Sequence, residues 1–288
     1  MPRFKLTIEY AGTRYSGWQI QKNARTIQGE IDKAVGTVTG RRDFELYGSG
    51  RTDAGVHAVA QVAHLDVSTN IPADSLMRRM NDELPADINV LAAEQVPHRF
   101  HARHDAVARR YVYQIARRRT AFAKPFVWWV REPLDLARMQ QAAASFVGFR
   151  DFQSFAESDD VPKAGRAGGA GKAGGAGQAG GAGRFEERST IVLVERLDVV
   201  EADDLMLVGI VGSHFLWKMV RRIVGVLVEI GRGGLDPSAA ASFLRESSGA
   251  PAKLTAPPSG LFLEHVWYAA ERRDERLTPV TPLSAPRR

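Results

Sequence analysis

Eleven consecutive residues, Gly48-Ser49-Gly50-Arg51-Thr52-Asp53-Ala54-Gly55-Val56-His57-Ala58, set one carboxylate among neighbours with almost no side chain. Small residues let a ligand or a second backbone approach Asp53 closely and permit backbone angles that others resist. Strand-like runs flank the loop, Phe44–Tyr47 before it and Val59–Leu65 after it. Asp53 therefore stands at the mouth of a sheet, on a loop held by rigid elements, where catalytic residues are commonly found. A hairpin whose Asp only caps the turn is the plainer alternative.

A second group with chemical potential is Arg221. It sits in a helical pattern over 214–230, where Leu216, Met219, Val220, Ile223, Leu227 and Ile230 form the apolar stripe and Lys218, Arg222, Gly225 and Glu229 a polar one. Arg221 belongs to neither stripe and falls among Trp217, Val224 and Val228. A buried guanidinium cannot shed its charge, and leaving it unpaired costs on the order of 3–5 kcal/mol. No acid lies three or four residues away, so its partner must come from elsewhere in the fold, and Asp53 is a candidate; snorkelling beside Trp217 at a surface edge is the alternative.

Other constellations carry less. His98, His101 and His104 recur every third residue, but that spacing drifts around a helix and Pro97 argues for a loop. Glycosidases need two cooperating carboxylates and two-metal nucleases several acids, whereas the Asp53 loop holds one. The chain has no phosphate-binding Gly-x-x-x-x-Gly-Lys-Ser/Thr and no Gly-x-Gly-x-x-Gly after a strand.

The elements that must carry these residues read β-α-β-β-α-β through residue 104: strands near 4–10, 44–47, 59–65 and 89–96, with helices after Thr26 and over 73–84. That order is ferredoxin-like. From 105 to 270 it recurs more loosely, with strands near 110–115, 190–200, 205–211 and 261–268 and helices over 135–147 and 214–230. The reading is an α+β chain of two similar halves, 1–104 and 105–270, whose sheets join around a central cleft. A Gly/Ala tract at 163–184 is expected to be a flexible insert and 271–288 a disordered tail.

Composition bounds the function. The 288 residues are 44% hydrophobic and carry a net charge of +6. Four of the positive charges (Lys163, Arg166, Lys172, Arg184) belong to the Gly/Ala tract, so the rest is only mildly basic. Its arginines nevertheless cluster, as in Arg109-Arg110, Arg117-Arg118-Arg119 and Arg221-Arg222, which suits local grips on a polyanion such as RNA. There is no cysteine, hence no disulfide, thiolate nucleophile or cysteine-bound metal. No apolar run approaches the ~18 residues of a membrane span and the N-terminus lacks a signal-peptide core, so a cytoplasmic setting is expected.

Gly50-Arg51-Thr52-Asp53-Ala54-Gly55-Val56-His57 resembles the signature of the tRNA pseudouridine synthase A family, which acts on the anticodon arm. The likeness extends through Glu9-Tyr10-x-Gly12-Thr13, Ser16-Gly17-Trp18-Gln19, Phe100-His101-Ala102-Arg103, Ala108-Arg109-Arg110-Tyr111, Asp151-Phe152-x-Ser154-Phe155, Phe215-Leu216-x-x-Met219-Val220-Arg221-x-Ile223-Val224-Gly225 and Ala256-Pro257-x-x-Gly260-Leu261, in family order. Ala11 stands where the family usually has Asp, and His104 where an aromatic is common.

The resemblance implies conversion of uridine to pseudouridine at positions 38, 39 and 40 of tRNA, without metal or organic cofactor. It implies Asp53 as nucleophile, Arg221 as its ion-pair partner, Tyr111 against the target base and Arg51 on the RNA backbone, with His57 and Arg110 also binding substrate. It further implies a homodimer with ferredoxin-like halves. Taken without it, the residues also admit a non-catalytic RNA-binding protein or a glycosylase that releases uracil.

Overall fold

Alternating apolar and polar residues make Phe4, Leu6, Ile8 and Tyr10 the buried face of the first strand, as a period of two requires. The computed structural model that this strand opens describes residues 1–157, 189–269 and 276–283. The Gly/Ala tract expected to be flexible, 163–184, lies outside the described residues, as do 271–275 and 284–288 of the expected disordered tail.

The first half runs β1 (Arg3–Tyr10), α1 (Ile27–Thr39), β2 (Glu45–Gly48), β3 (His57–Asp66), α2 (Ala73–Glu83) and β4 (Ile88–Val96). The second runs β5 (Ala106–Ala116), β6 (Trp128–Trp129), α3 (Leu136–Ala144), β7 (Gly148–Asp151), β8 (Ile191–Ala202), β9 (Leu205–Gly212), α4 (Met219–Gly231), α5 (Ser238–Arg245), α6 (Ala250–Lys253) and β10 (Leu261–Tyr268). The chain is α+β, and its helices start where local chemistry allows. The Thr26 hydroxyl accepts from Gly29 N–H at 3.2 Å to cap α1, and Asp135 does the same for α3.

One sheet spans both halves in the order β4-β1-β3-β10-β5-β9-β8-β7, with β2 beside β3 and β6 beside β5. The join is a fork in β3. Residues 63–66 pair with β2, while His57 and Ala58 pair in parallel with Phe262 and Leu263 of β10. Leu263 in turn faces Tyr111 of β5. The Asp53 loop feeds directly into this fork, so it opens where the halves meet. Each half has its own apolar core against the sheet.

Two expectations need correction. Helix α4 begins at Met219 and not at His214, because Lys218 sits in the left-handed region at φ 62° and interrupts the helical path. Residues 276–283 of the expected disordered tail pack against the second half. Leu277 and Leu283 join Ala116, Val127, Leu205 and Leu207, and Gln114 accepts from the N–H groups of Val280 and Thr281 at 2.8 and 3.1 Å. A fully buried amide such as Gln114 needs partners, and this segment supplies them. Among the described residues no helix is long and apolar enough to cross a membrane.

Candidate active site

The Asp53 turn takes its shape from backbone hydrogen bonds. At its base Ser49 N–H donates to Val62 O of β3 at 2.7 Å, and within it Val56 N–H donates to Asp53 O at 3.2 Å. The 12–18 segment docks from the side: Trp18 N–H donates to Thr52 O at 3.1 Å and Gly55 N–H to Tyr15 O at 3.3 Å. Below it, the hydroxyls of Tyr10 and Thr52 are bonded at 2.8 Å. Gly17 makes the docking possible. Its φ is +92°, and a Cβ there would lie 2.6 Å from Thr52 O, inside any real contact. The Ser16-Gly17-Trp18 motif thus reads as the brace of the Asp53 turn.

From the opposite half, Arg221 in the first turn of α4 reaches Asp53. Its Nη1 lies 3.2 Å from Asp53 Oδ2, with the two side chains 14% and 18% exposed. The arginine is aimed by its own neighbour in space. Nε donates to Ala256 O at 2.7 Å, and Ala256 N–H donates back to Arg221 O at 3.0 Å. A Cβ at Gly225 would fall 1.6 Å from Leu254 O, so only glycine lets the 254–256 segment lie against the helix. The partnership between Asp53 and Arg221 is present across 168 residues of chain.

The neighbours of Arg221 differ in part from those its helical position predicts. Trp217 precedes the helix and is 45% exposed, with Lys218 Nζ 4.8 Å from its ring centroid. The stripe read as polar is no solvent face either. Arg222 is buried, paired with Glu157 Oε2 at 2.8 Å and donating to Ala156 O, because residues 154–157 cover that side. Glu157 also holds Lys218 Nζ at 2.8 Å.

Asp53 and Arg221 line a cleft of about 770 Å³, within the roughly 300–1,000 Å³ of small-molecule sites. Tyr111 forms one wall, its ring edge-on to Phe215 at 5.2 Å. Burial, with the Asp53 charge adding to it, pushes the Tyr111 hydroxyl well above its ordinary pKa, so it stays protonated. Among the described residues five cations line the cleft (Arg51, Arg103, Arg109, Lys218, Arg221), and Asp53 is the one acid. That balance favours an anionic ligand.

Arg51 is exposed on the rim, where a backbone phosphate can reach it. His57 and Arg110 are not brought to the cleft. His57 is 1% exposed: its Nδ1 accepts from Gly12 N–H at 3.0 Å, Nε2 lies 3.0 Å from Pro125 O, and its ring stacks on Phe262. Burial pushes its pKa down to about 4, so it acts as a neutral brace. Arg110 is buried, ion-paired with Glu264 and lying over the Trp267 ring. Arg109 is one of three cleft cations, with Arg103 and Lys218, that the sequence did not single out. It donates to Ser213 O at 2.6 Å and Ser49 O at 3.1 Å, tying the base of the Asp53 turn to the approach to α4. The signal was available: residues two apart on a strand share a face, so Arg109 goes with Tyr111 and Arg110 does not. Among the described residues no group of three or more His, Asp or Glu gathers as a metal site.

Comparison with known proteins is consistent with this geometry. The chain matches the family described as tRNA pseudouridine synthase over residues 6–105 and 182–269. It is 35% identical over 271 residues to a tRNA pseudouridine synthase A of Chromobacterium violaceum, covering 93% of this chain and 94% of that protein. A Thermoanaerobacter protein of the same name is 36% identical over 272 residues, with 93% and 100% covered. A tRNA pseudouridine synthase A 2 of Clostridium tetani is 33% identical over 268 residues, with 92% and 98% covered.

Proposed function

The chain belongs to the tRNA pseudouridine synthase family and isomerises uridine to pseudouridine in tRNA; from that premise we propose that Asp53 is the attacking carboxylate and that the targets are uridines 38, 39 and 40 of the anticodon arm. The observation that carries the reading is the contact between Asp53 and Arg221 across the two halves, inside a cleft walled by Tyr111.

The reaction breaks the N1–C1′ bond of uridine and forms a C5–C1′ bond. The hydrogen on C5 leaves as a proton and N1 regains one, so atoms and electrons balance with no redox partner and no hydrolysis. One carboxylate suffices where a glycosidase needs two, and we read the reaction as proceeding without metal or organic cofactor. Asp53 attacks either the sugar C1′ or the base at C6. In both routes the uridine must leave its stack, at a cost of a few kcal/mol that pocket contacts offset. Tyr111 offers the flat wall for that base, Arg221 holds the carboxylate in line, and Arg51 takes a phosphate. Enclosure keeps the freed uracil from escaping to water.

The repeated strand order, β4-β1-β3-β2 and β10-β5-β9-β8, supports reading both halves as ferredoxin-like and related by pseudo-symmetry, with boundaries near 104 and 270. A cytoplasmic homodimer completes the proposal. Asp53→Asn tests it: the variant should bind tRNA normally while kcat falls by roughly 10⁴–10⁶-fold, as for loss of a nucleophile. Tritium release from tRNA carrying 5-tritiated uridine is the readout. Turnover retained by this variant would remove Asp53 from the nucleophile's role.

A further inference from the structure

A second cleft of about 380 Å³ opens beside the catalytic one and shares Gln19, Gly50, Arg51 and Arg103 with it. Tyr47 and Asp32 stand on its walls. Tyr47 is 52% exposed on β2, an edge strand that pairs with β3 alone among the described residues. One face is backed by His64 at 5.4 Å and 14° between planes. His64 is itself fixed: it is buried, accepts from Ala102 N–H through Nδ1 at 3.1 Å and touches the His101 ring at 4.6 Å. Burial pushes its pKa down to about 4, so it backs the tyrosine as a neutral imidazole. The result is a rigid aromatic platform with part of its surface free.

Asp32 stands on α1 and is half-buried where it lines the cleft. Its Oδ1 is buried without a hydrogen-bond partner, a state that costs free energy and that native proteins rarely tolerate idly. Burial also pushes its pKa up to about 6. A donor arriving in the cleft would compensate a carboxyl that the fold leaves under-satisfied. Arg51 and Arg103, lining both clefts, stand where one phosphate joins two adjacent ligand units.

We propose that this second cleft is a nucleobase subsite for a nucleotide adjacent to the target uridine. The base stacks on Tyr47, an exocyclic amino group of that base donates to Asp32, and the linking phosphate lies between Arg51 and Arg103. The inference rests on the tRNA-modifying reading and extends it from the reacting uridine to a neighbour that the protein selects. Adenine, cytosine and guanine carry the required amino group, and uracil does not.

The test is a double-mutant cycle between protein and RNA. Tyr47→Ala should raise KM for an anticodon-arm RNA about 5- to 150-fold, the worth of one base stacked on an aromatic ring, with kcat and melting temperature unchanged. Tyr47→Phe should restore KM. Abasic nucleotides introduced one at a time around the target should weaken binding to wild type at one position, and that position should lose its effect in Tyr47→Ala. Asp32→Ala should raise KM only for RNAs with an amino-bearing base there, removing the preference over uracil. Unchanged KM in Tyr47→Ala, or additive effects at every position, would overturn the subsite. Wild-type protein that released no tritium would instead overturn the tRNA-modifying reading, and the same cycle read by equilibrium binding of the RNA would still decide the subsite.

Discussion

On the first-half side of the cleft, Asp53 rides on a turn held by four backbone hydrogen bonds, within it and to the 12–18 segment and Val62, and by the hydroxyl contact of Thr52 with Tyr10. On the second-half side, Arg221 leaves a helix and is aimed at its far end by the Ala256 carbonyl. The difference follows from side-chain length. An aspartate has two torsions, so its carboxylate goes where the backbone puts it. An arginine reaches far from its Cα, so its head needs its own partner to lose rotational freedom. Short acid and long base therefore demand different scaffolds, and they fail in different ways.

Four substitutions or titrations probe that contrast. Asp53→Asn, with the expected loss given above, removes the chemistry itself. Arg221→Lys should lower kcat about 10²- to 10³-fold while the fold is kept, since losing one preorganised donor costs about that much. A lysine cannot donate to Ala256 O and Asp53 Oδ2 from one rigid plane. Single-turnover rates beside circular dichroism check this, and a wild-type rate would make Arg221 a structural residue. Gly17→Ala should do both kinds of harm. Forcing a side chain onto φ +92° against Thr52 O should cost about 1–3 kcal/mol of stability and, by displacing Asp53, about 10²-fold in kcat. Urea unfolding and tritium release measure the two; loss of stability alone would mean that the turn keeps its shape without the 12–18 brace.

The smallest effect lies in the pH dependence of stability. His57 and His64 are almost wholly buried, with pKa values pushed from 6.5 down to about 4. The unfolded chain binds protons there below pH 6.5 while the folded chain does not, so stability is full above 6.5 and declines as pH falls towards 4. Asp32, raised from 3.8 to about 6, works in the opposite sense between those values and offsets part of the decline. Replacing His57 by Gln should flatten the acid side by on the order of 2 kcal/mol and leave turnover at pH 8 nearly intact. Urea midpoints from pH 7 to 4.5 report the first, and a large loss of turnover would return His57 to the substrate-binding residues.

Much of this was legible in the chain because it depends on neighbours in sequence. Alternation placed β1, and Thr26 placed the start of α1. An arginine without an acid within a helical turn pointed to a partner elsewhere, and that partner is Asp53. The misreadings came from distant partners. His57 lies in the signature itself, yet it serves Gly12 and Pro125, 45 and 68 residues away. Arg222 reads as part of a polar stripe, and residues 154–157 bury it. Lys218 has no mark in the sequence of the left-handed conformation that shortens α4. Strand parity with Tyr111 favours Arg109 over Arg110 as the cleft residue.

Residue order by itself determined the lone carboxylate in its glycine-rich turn, the periodicities of two and 3.6 that build each half, and the need of Arg221 for a counter-charge. Tertiary structure decided which cations line the cleft, that the fork of β3 brings the Asp53 turn to α4, and that the tail closes over Gln114. Periodicity and propensity act within a few residues and are written locally. Pairing across 168 residues is set by how two cores pack on one sheet, and no local pattern encodes that distance.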